Sequence, residues 1–305
     1  MLRIFMTGAT GHVGRAVAEA LRDAGHSLTA LVRTPQGANE ITALGGTPIL
    51  GTLGDPGTFA ATAAGHDALI HTAFEYDASG AESRSTDQIA TRALLDVASR
   101  SSTVAQVIYT SSAYLLGDLG EAPVDEDIDM AMTSAAGGWR LDLEKEVLAR
   151  SAGAGFSGAV VRPGLVYGGR GGTMPQWFGD AGRDRLVQYY GAGTNRWTLI
   201  YRRDLAALYW RLAESGMGGT FHGVDGTPMP VRAVAEAASR AAGWEGRTRS
   251  IPFEELPIAE REHARRALGR DVAVTSSRTS TLGWKPTYPS FQEGAAQAYR
   301  EWSEA

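Results

Sequence analysis

The sequence predicts an α/β protein built on a doubly wound parallel sheet, with a smaller C-terminal lobe. An apolar segment at residues 2–6 leads into a glycine-rich turn at residues 7–14, and a helical pattern follows. Strand-like apolar segments then alternate with helical segments as far as about residue 160. The alternation stops after Pro163, where a glycine run occupies residues 168–172. This order is typical of a Rossmann-type domain followed by a lobe that closes over a ligand.

The predicted elements follow one another closely along the first half of the chain. Short apolar runs predict six parallel strands, at residues 2–6, 28–32, 48–50, 68–71, 106–109 and 159–161. Helical patterns predict the connections, at residues 15–24, 34–44, 56–64, 86–99 and 139–152. We therefore expect a cofactor-binding domain at residues 1–162 and a substrate-binding lobe at residues 163–305. The chain is expected to return to the first domain around residues 194–215.

The glycine-rich turn reads TGATGHVG and places Gly8, Gly11 and Gly14 in the spacing GxxGxxG. A strand, a glycine turn and a helix N-terminus in this order form a phosphate cradle. Backbone N–H groups point at the ligand there, and no Cβ blocks its approach. The sequence therefore predicts that the chain binds a dinucleotide.

Arg33 ends the second predicted strand, at about the distance past the glycines where such a unit presents the residue that selects the ribose. An acidic residue there would accept a hydrogen bond from the ribose 2′-hydroxyl, whereas an arginine accommodates a 2′-phosphate. We therefore expect NADP(H) rather than NAD(H), with Arg15 as a second contact. The alternative is that both arginines are solvated surface residues.

The composition limits the classes of function. A formal net charge of −5 gives no electrostatic footprint for nucleic acid or an anionic membrane. The chain has no cysteine, which excludes disulfides, thiolate metal sites and a cysteine nucleophile. No apolar run approaches the roughly 20 residues that span a bilayer, and the first residues resemble a core strand rather than a signal peptide. We expect a cytoplasmic protein without a metal site, because the histidines form no ligand pair of the HExxH kind.

Four further segments carry a family resemblance: YTSSAYLLG at residues 109–117, RPGLVYG at 162–168, the stretch 196–204, and LGWKP at 282–286. With the glycine motif, their order resembles an extended short-chain dehydrogenase/reductase of the NAD-dependent epimerase/dehydratase type over nearly the whole chain. The resemblance implies a bound nicotinamide dinucleotide and hydride transfer at a carbon that bears oxygen. It also implies a homodimer formed through the predicted helices at 86–99 and 139–152.

The proton relay of that family is incomplete in this sequence. Relatives use a tyrosine and, four residues later, a lysine, while a serine steadies the substrate oxygen. Ser112 aligns with the serine, but Ala136 falls at the tyrosine position and Arg140 at the lysine position. Arg140 can bond the nicotinamide ribose and supply positive charge, but an arginine does not shuttle protons at neutral pH.

Tyr114 is our candidate for the missing acid, because it lies two residues past Ser112 and can face the same side of the chain. Arg140 is expected to help lower its pKa. The alternative is that Tyr114 only lines the pocket.

The motif and the resemblance together give a set of candidate residues. The catalytic candidates are Ser112, Tyr114 and Arg140. The expected cofactor contacts are Gly8, Thr10, Gly11, His12, Val13, Gly14, Arg33, Leu53, Thr72, Ala73, Phe74, Ser111, Arg140, Pro163, Gly164 and Val166. The expected substrate contacts are Ser112, Tyr114, Tyr167 and Arg196.

The leading interpretation is an NADP(H)-dependent oxidoreductase. It would transfer hydride to or from a carbonyl or secondary alcohol of a small polar or nucleotide-linked substrate. One alternative is a redox-neutral or non-redox enzyme on the same scaffold, such as an epimerase, dehydratase or cyclase, for which loss of the Tyr–Lys pair is tolerable. The other is a non-enzymatic NADP(H) sensor whose lobe binds a protein partner.

Overall fold

The computed structural model of the chain describes residues 1–75, 81–120, 122–129 and 138–304. The strands in chain order are β1 Arg3–Thr7, β2 Ser27–Val32, β3 Thr47–Leu50, β4 Ala68–His71, β5 Gln106–Thr110, β6 Ser157–Pro163, β7 Leu165–Tyr167, β8 Val187–Tyr190, β9 Arg196–Trp197, β10 Leu199–Tyr201, β11 Gly219–Gly223, β12 Met229–Pro230 and β13 Thr248–Ile251. The α-helices are α1 His12–Asp23, α2 Pro35–Ala43, α3 Ala60–Ala63, α4 Ala81–Arg100, α5 Gly138–Ser151, α6 Met174–Asp184, α7 Arg202–Ser215, α8 Val231–Ala241, α9 Ile258–Leu268 and α10 Phe291–Ser303.

Seven parallel strands form the central sheet, in the order β11-β6-β5-β4-β1-β2-β3. Strand order reverses between β1 and β4, and ligands of such sheets bind beyond the carboxyl ends of the strands at this switch point. Thr7 at the end of β1 pairs with His71 at the end of β4. The loops that follow these two strands therefore meet, and the predicted fold class is confirmed.

The sheet contains one strand more than the sequence predicts. After the lobe begins, the chain returns through α7, whose Leu205, Leu208 and Leu212 share an apolar core with Val17 and Leu21 of α1. It then adds β11 beside β6. The segment Gly219–Gly223 has glycines at both ends and a single large apolar residue, so it gives no apolar run for a sequence pattern to detect.

The lobe has a separate apolar core built around α6, α8 and α10. Three two-stranded sheets accompany these helices: β10 with β7, β12 with β9, and β13 with β8. Aromatic side chains fill much of this core, including Trp177, Phe178, Trp197 and Phe291. Across the described residues, no helix is both long and apolar enough to cross a membrane.

Candidate active site

The glycine turn after β1 packs directly against the turn after β4. Gly8 has a φ of +78°, and a Cβ there would lie 2.5 Å from the backbone nitrogen of Ala73. A Cβ on Gly14 would lie 2.0 Å from the carbonyl oxygen of Gly8. Real Cβ atoms do not approach other atoms so closely, so both positions require glycine. The turn is further closed by a hydrogen bond from the Gly11 N–H to the Gly8 carbonyl, 2.9 Å long.

Helix α1 begins directly after this turn, and the backbone N–H groups at its N-terminus can bind an anion. Gly11 caps the helix, and no side chain bonds the N–H groups of its first turn. Those groups carry the positive end of the helix dipole, which favours a phosphate. These N–H groups therefore suit the phosphates of a dinucleotide.

A cavity of about 480 Å³ lies over the turn and extends along the ends of β1, β2 and β4. Its lining includes most of the expected cofactor contacts: Gly8, Thr10, Gly11, His12, Val13, Gly14, Arg33, Leu53, Thr72, Ala73, Phe74 and Val166. Sequence reasoning missed the other lining residues, which are Thr7, Leu31, Val32, Glu75, Leu165, Gly172 and Thr173. Several of these end a strand or follow one directly, and strand ends could have indicated them.

Arg33 lines this cavity and forms an ion pair with Glu75, whose Oε1 lies 3.2 Å from its Nη1. About two thirds of the Arg33 side chain is exposed, so the guanidinium can also reach a ligand. Arg15 does not line the cavity. It pairs instead with Glu19 at 3.1 Å and Glu40 at 3.2 Å, so the expected second contact is absent from this arrangement.

Ser111 and Ser112 directly follow β5, and neither is part of the cavity lining. The backbone N–H of Ser111 donates to Val161 at 2.7 Å, and its Oγ is buried without a hydrogen-bond partner among the described residues. The Ser112 Oγ accepts the N–H of Tyr114 at 3.2 Å, which caps the short 3₁₀ turn Ala113–Leu116. This Oγ acts as an acceptor and donates to no other side chain or carbonyl among the described residues, so the hydroxyl proton of Ser112 can bond a substrate oxygen.

The hydroxyl of Tyr114 is buried and has no hydrogen-bond partner within the described part of the chain. Burial raises the pKa of Tyr114, and the positive charge that opposes this rise is Arg270. The expectation that Arg140 lowers this pKa is therefore wrong, because burial dominates and a different arginine is the relevant neighbour. A phenol with a raised pKa stays protonated at neutral pH, so Tyr114 suits a proton donor rather than a base.

Arg140 joins α5 to the ends of β4 and β5. Its guanidinium carbon lies 4.3 Å from the ring centre of Phe74 and 4.8 Å from that of Trp139, both cation–π distances. Its Nη1 donates to the carbonyl oxygen of Thr110 at 3.5 Å. This places a fixed positive charge beside the turn that carries Ser112. Ala136, at the tyrosine position of the relatives, lies outside the described residues.

Two expected substrate contacts have other roles. The Tyr167 side chain is fully buried against Phe291, with ring centres 4.9 Å apart, and it does not line the cavity over the glycine turn. The Arg196 guanidinium donates to both carboxylate oxygens of Asp271, at 2.9 and 2.6 Å, and to the carbonyl of Gly120. It therefore holds loops together. The sequence motif does not show which face of the three-residue strand β7 is buried, and it does not show which carboxylate pairs with Arg196.

The remaining expected contacts are Pro163 and Gly164, which lie where the chain passes from the central sheet into the lobe. Pro163 ends β6 and is buried. A Cβ on Gly164 would lie 2.6 Å from the carbonyl oxygen of Thr198, so the backbone passes very close to the start of β10. Neither residue lines the cavity described above.

A buried polar network lies under the cradle and was not predicted as a unit. The Oγ1 of Thr7 lies 2.5 Å from Nδ1 of His71, and Nε2 of that histidine lies 3.1 Å from Oδ1 of Asp87. The Tyr109 hydroxyl donates to Oδ2 of Asp87 at 2.9 Å. Burial and the Asp87 charge raise the pKa of Tyr109, which keeps it a donor in this bond. The network ties the ends of β1, β4 and β5 to α4.

The last helix, α10, supports a loop that borders the cavity. Glu301 on α10 accepts the N–H of Gly169 at 2.9 Å and the hydroxyl of Tyr201. It also lies 3.4 Å from Nε of Arg202. The loop that contains Gly169 continues to Gly172, which lines the cavity. The carboxylate thus fixes a loop that borders the cofactor site.

Among the described residues, no group of three or more His, Cys, Asp or Glu side chains is placed so that it could hold a metal ion. The described residues offer a glycine turn that suits a phosphate, the hydroxyl of Ser112, the phenol of Tyr114 and the guanidinium of Arg140.

Together, the sheet, the glycine turn and the cavity at the switch point define a Rossmann-type dinucleotide-binding fold. Residues 4–222 match the NAD dependent epimerase/dehydratase family, and the chain belongs to that family. It is accordingly an oxidoreductase or epimerase of the extended short-chain dehydrogenase/reductase type.

Similar proteins cover most of the chain. A 4-hydroxy-2-methyl-3-oxo-4-farnesyl-3,4-dihydroquinoline-1-oxide ketoreductase from Stigmatella aurantiaca is 29% identical, over 85% of this chain and 78% of the relative. A 2-alkyl-3-oxoalkanoate reductase from Stenotrophomonas maltophilia is 26% identical, over 83% of this chain and 79% of the relative. The crystal structure of a human epimerase family protein with NADPH has a TM-score of 0.79 at 21% identity, and the match covers 98% of this chain and 99% of that one.

Proposed function

We propose that the protein is an NADPH-dependent reductase of small-molecule carbonyl compounds. The observation that carries this proposal is the position of Arg33, whose exposed guanidinium lines the cavity built by the glycine turn. A guanidinium there suits the 2′-phosphate that distinguishes NADPH from NADH. Two of the similar proteins are reductases of keto compounds, which supports reduction over epimerisation.

The residues after β5 supply what reduction of a carbonyl requires. NADPH, when bound, supplies the hydride that forms the new C–H bond and is oxidised to NADP⁺. The free hydroxyl proton of Ser112 bonds the carbonyl oxygen and steadies it. Tyr114, protonated because burial raises its pKa, gives the proton that forms the new O–H bond and regains one from water. Arg140 contributes positive charge at the carbonyl of Thr110, close to the developing oxyanion.

Cofactor choice is tested by titrating the protein with NADPH and NADH. Arg33→Ser should weaken NADPH binding by roughly tenfold to a hundredfold, the value of hydrogen bonds to a charged group, and leave NADH binding unchanged. Arg15→Ser is the matched control, because it removes the same side chain from an arginine that pairs with Glu19 and Glu40 and does not line the cavity. Tighter binding of NADH by the unmodified protein would contradict the proposal.

A second candidate is a redox-neutral reaction on the same scaffold. The sequence favours it at one point, since the tyrosine and lysine of the relatives are replaced by Ala136 and Arg140. Turnover of a substrate without net change in absorbance at 340 nm would support this candidate. Tight NADPH binding with no turnover of any carbonyl compound would instead support a sensor.

A further inference from the structure

The charged lining of the cavity over the glycine turn consists, among the described residues, of Arg33 and Glu75. These two side chains bond each other, with Oε1 of Glu75 3.2 Å from Nη1 of Arg33. His12 also lines the cavity, but burial and the nearby charge of Arg202 lower its pKa, so it is neutral at neutral pH. The positive charge that suits a 2′-phosphate is therefore balanced by a carboxylate in the same cavity.

The fold brings these two side chains to the same place. Strands β2 and β4 both run parallel to β1 and pair with it, so the segments after them leave the sheet at the same edge. Arg33 directly follows β2, and Glu75 lies four residues past the end of β4. The segment that leads to Glu75 is held against the glycine turn, because Oγ1 of Thr72 donates to the carbonyl oxygen of Thr7 at 2.8 Å. Glu75 thus shares with Arg33 the position at which folds of this kind select the ribose.

Each member of the pair keeps hydrogen-bonding capacity for a ligand. The side chain of Arg33 is 66% exposed and that of Glu75 is 27% exposed. Their bond uses Nη1 of the arginine and Oε1 of the glutamate, so the other nitrogens and Oε2 can still bond a ligand. A guanidinium only donates and a carboxylate only accepts. A ribose phosphate therefore suits Arg33, and a ribose hydroxyl suits Glu75.

We infer that Arg33 and Glu75 act in opposite directions at the ribose 2′ position of the cofactor. Arg33 binds the 2′-phosphate of NADPH, whereas Glu75 repels that phosphate and accepts a hydrogen bond from the 2′-hydroxyl of NADH. The part played by Arg33 rests on the proposed function, but the part played by Glu75 needs no reductase activity. Glu75 accordingly limits the preference for NADPH and allows NADH to bind as well.

Glu75→Gln tests this inference, because it removes the charge and keeps the size of the side chain. The probes are NADPH, NADH, 2′,5′-ADP and 5′-AMP, of which the last two carry the adenosine ribose without the nicotinamide. Nicotinamide fluorescence measures the affinity of the first two, and calorimetry measures that of the fragments. We expect NADPH and 2′,5′-ADP to bind about tenfold tighter to the variant, because a like charge beside the phosphate is gone. We expect NADH and 5′-AMP to bind about fivefold more weakly, because a neutral acceptor replaces a charged one.

Glu40→Gln is the matched control. Glu40 also pairs with the Nη1 of an arginine at 3.2 Å, and its side chain is 34% exposed, but neither it nor its partner Arg15 lines the cavity. We expect this variant to bind all four probes as the unmodified protein does. Combining Glu75→Gln with Arg33→Ser measures the coupling of the two side chains. The gain in NADPH affinity should be smaller without Arg33, because Glu75 then competes for no guanidinium.

The outcomes separate this inference from the proposed function. Tighter binding of NADH than of NADPH by the unmodified protein, reversed in Glu75→Gln, would contradict the proposed NADPH dependence and support the role of Glu75. Unchanged affinities in Glu75→Gln, or equal changes in Glu75→Gln and Glu40→Gln, would overturn that role. Weaker NADPH binding by Glu75→Gln would also overturn it, since the carboxylate would then serve to hold Arg33 in place for the phosphate.

Discussion

Tyr114 and Ser112 lie within one short turn after β5, and the roles proposed for them can be separated by single substitutions. Tyr114→Phe should lower kcat by roughly a hundredfold or more, the typical contribution of a positioned acid, with little change in NADPH affinity. Stopped-flow measurement of NADPH oxidation checks this. Tyr299→Phe is the control, because Tyr299 packs on Phe178 in the lobe core. Full turnover in Tyr114→Phe together with loss in Ser112→Ala would reduce Tyr114 to a lining residue.

Asp225 makes stability depend on pH. One of its carboxylate oxygens, Oδ2, is buried with no hydrogen-bond partner among the described residues, and burial raises its pKa to about 8. The unfolded carboxyl titrates near 3.9, so between about pH 4 and pH 8 the native state holds a proton that the unfolded state has released. The contribution of Asp225 to stability is therefore greatest in acid and is lost as the pH rises toward 8.

Asp225→Asn should remove this part of the pH dependence, because an amide does not titrate. Melting temperatures at pH 5 and pH 8 should differ less in the variant than in the unmodified protein, with the gain in stability appearing at pH 8. Asp23→Asn, at an exposed position on α1, is expected to leave the difference unchanged. An unaltered difference in Asp225→Asn would show that other groups govern the response to pH.

At the scale of elements, the turn between β1 and α1 depends on the absence of side chains. Gly14→Ala would bring a Cβ to 2.0 Å from the Gly8 carbonyl oxygen, so the turn must open. We expect a loss of about 1–3 kcal/mol in the free energy of unfolding, as for an overpacked core, and weaker NADPH binding. Gly179→Ala is the control, since its Cβ on α6 would meet nothing within 4 Å. Chemical denaturation and NADPH titration of both variants measure the effect.

An element can be predicted from the sequence when the residues that determine it lie close together along the chain, and it cannot when they lie far apart. The glycine turn was predictable because only glycine fits at Gly8, where φ is positive, and at Gly14, where another backbone atom comes very close. The GxxGxxG spacing shows both positions in the sequence. Strand β11 was not predictable, because it pairs with β6, which lies about sixty residues earlier in the chain. Its own residues also contain no apolar run. Tyr167 was misassigned because the burial of its ring is decided by α10, far along the chain.

At the scale of the whole molecule, Glu301 connects the last helix to the cofactor site. Glu301→Ala should free the loop that contains Gly169 and weaken NADPH binding, chiefly through a faster dissociation rate, because the carboxylate bonds that loop directly. Glu304→Ala, on an exposed residue three positions later, is the control. Displacement of bound NADPH in a stopped-flow experiment measures the rate. Equal dissociation rates in the two variants would contradict a supporting role for Glu301.

The contact between Glu301 and Gly169 also orders events during synthesis of the chain. The glycine turn at residues 7–14 emerges early, but Glu301, which supports the loop at residues 168–172, is made almost three hundred residues later. At about 5–20 residues per second, that interval is on the order of tens of seconds. A nascent chain therefore carries the cradle for much of its translation before it can enclose a dinucleotide. We expect the protein to acquire its cofactor only after α10 has been translated and has docked.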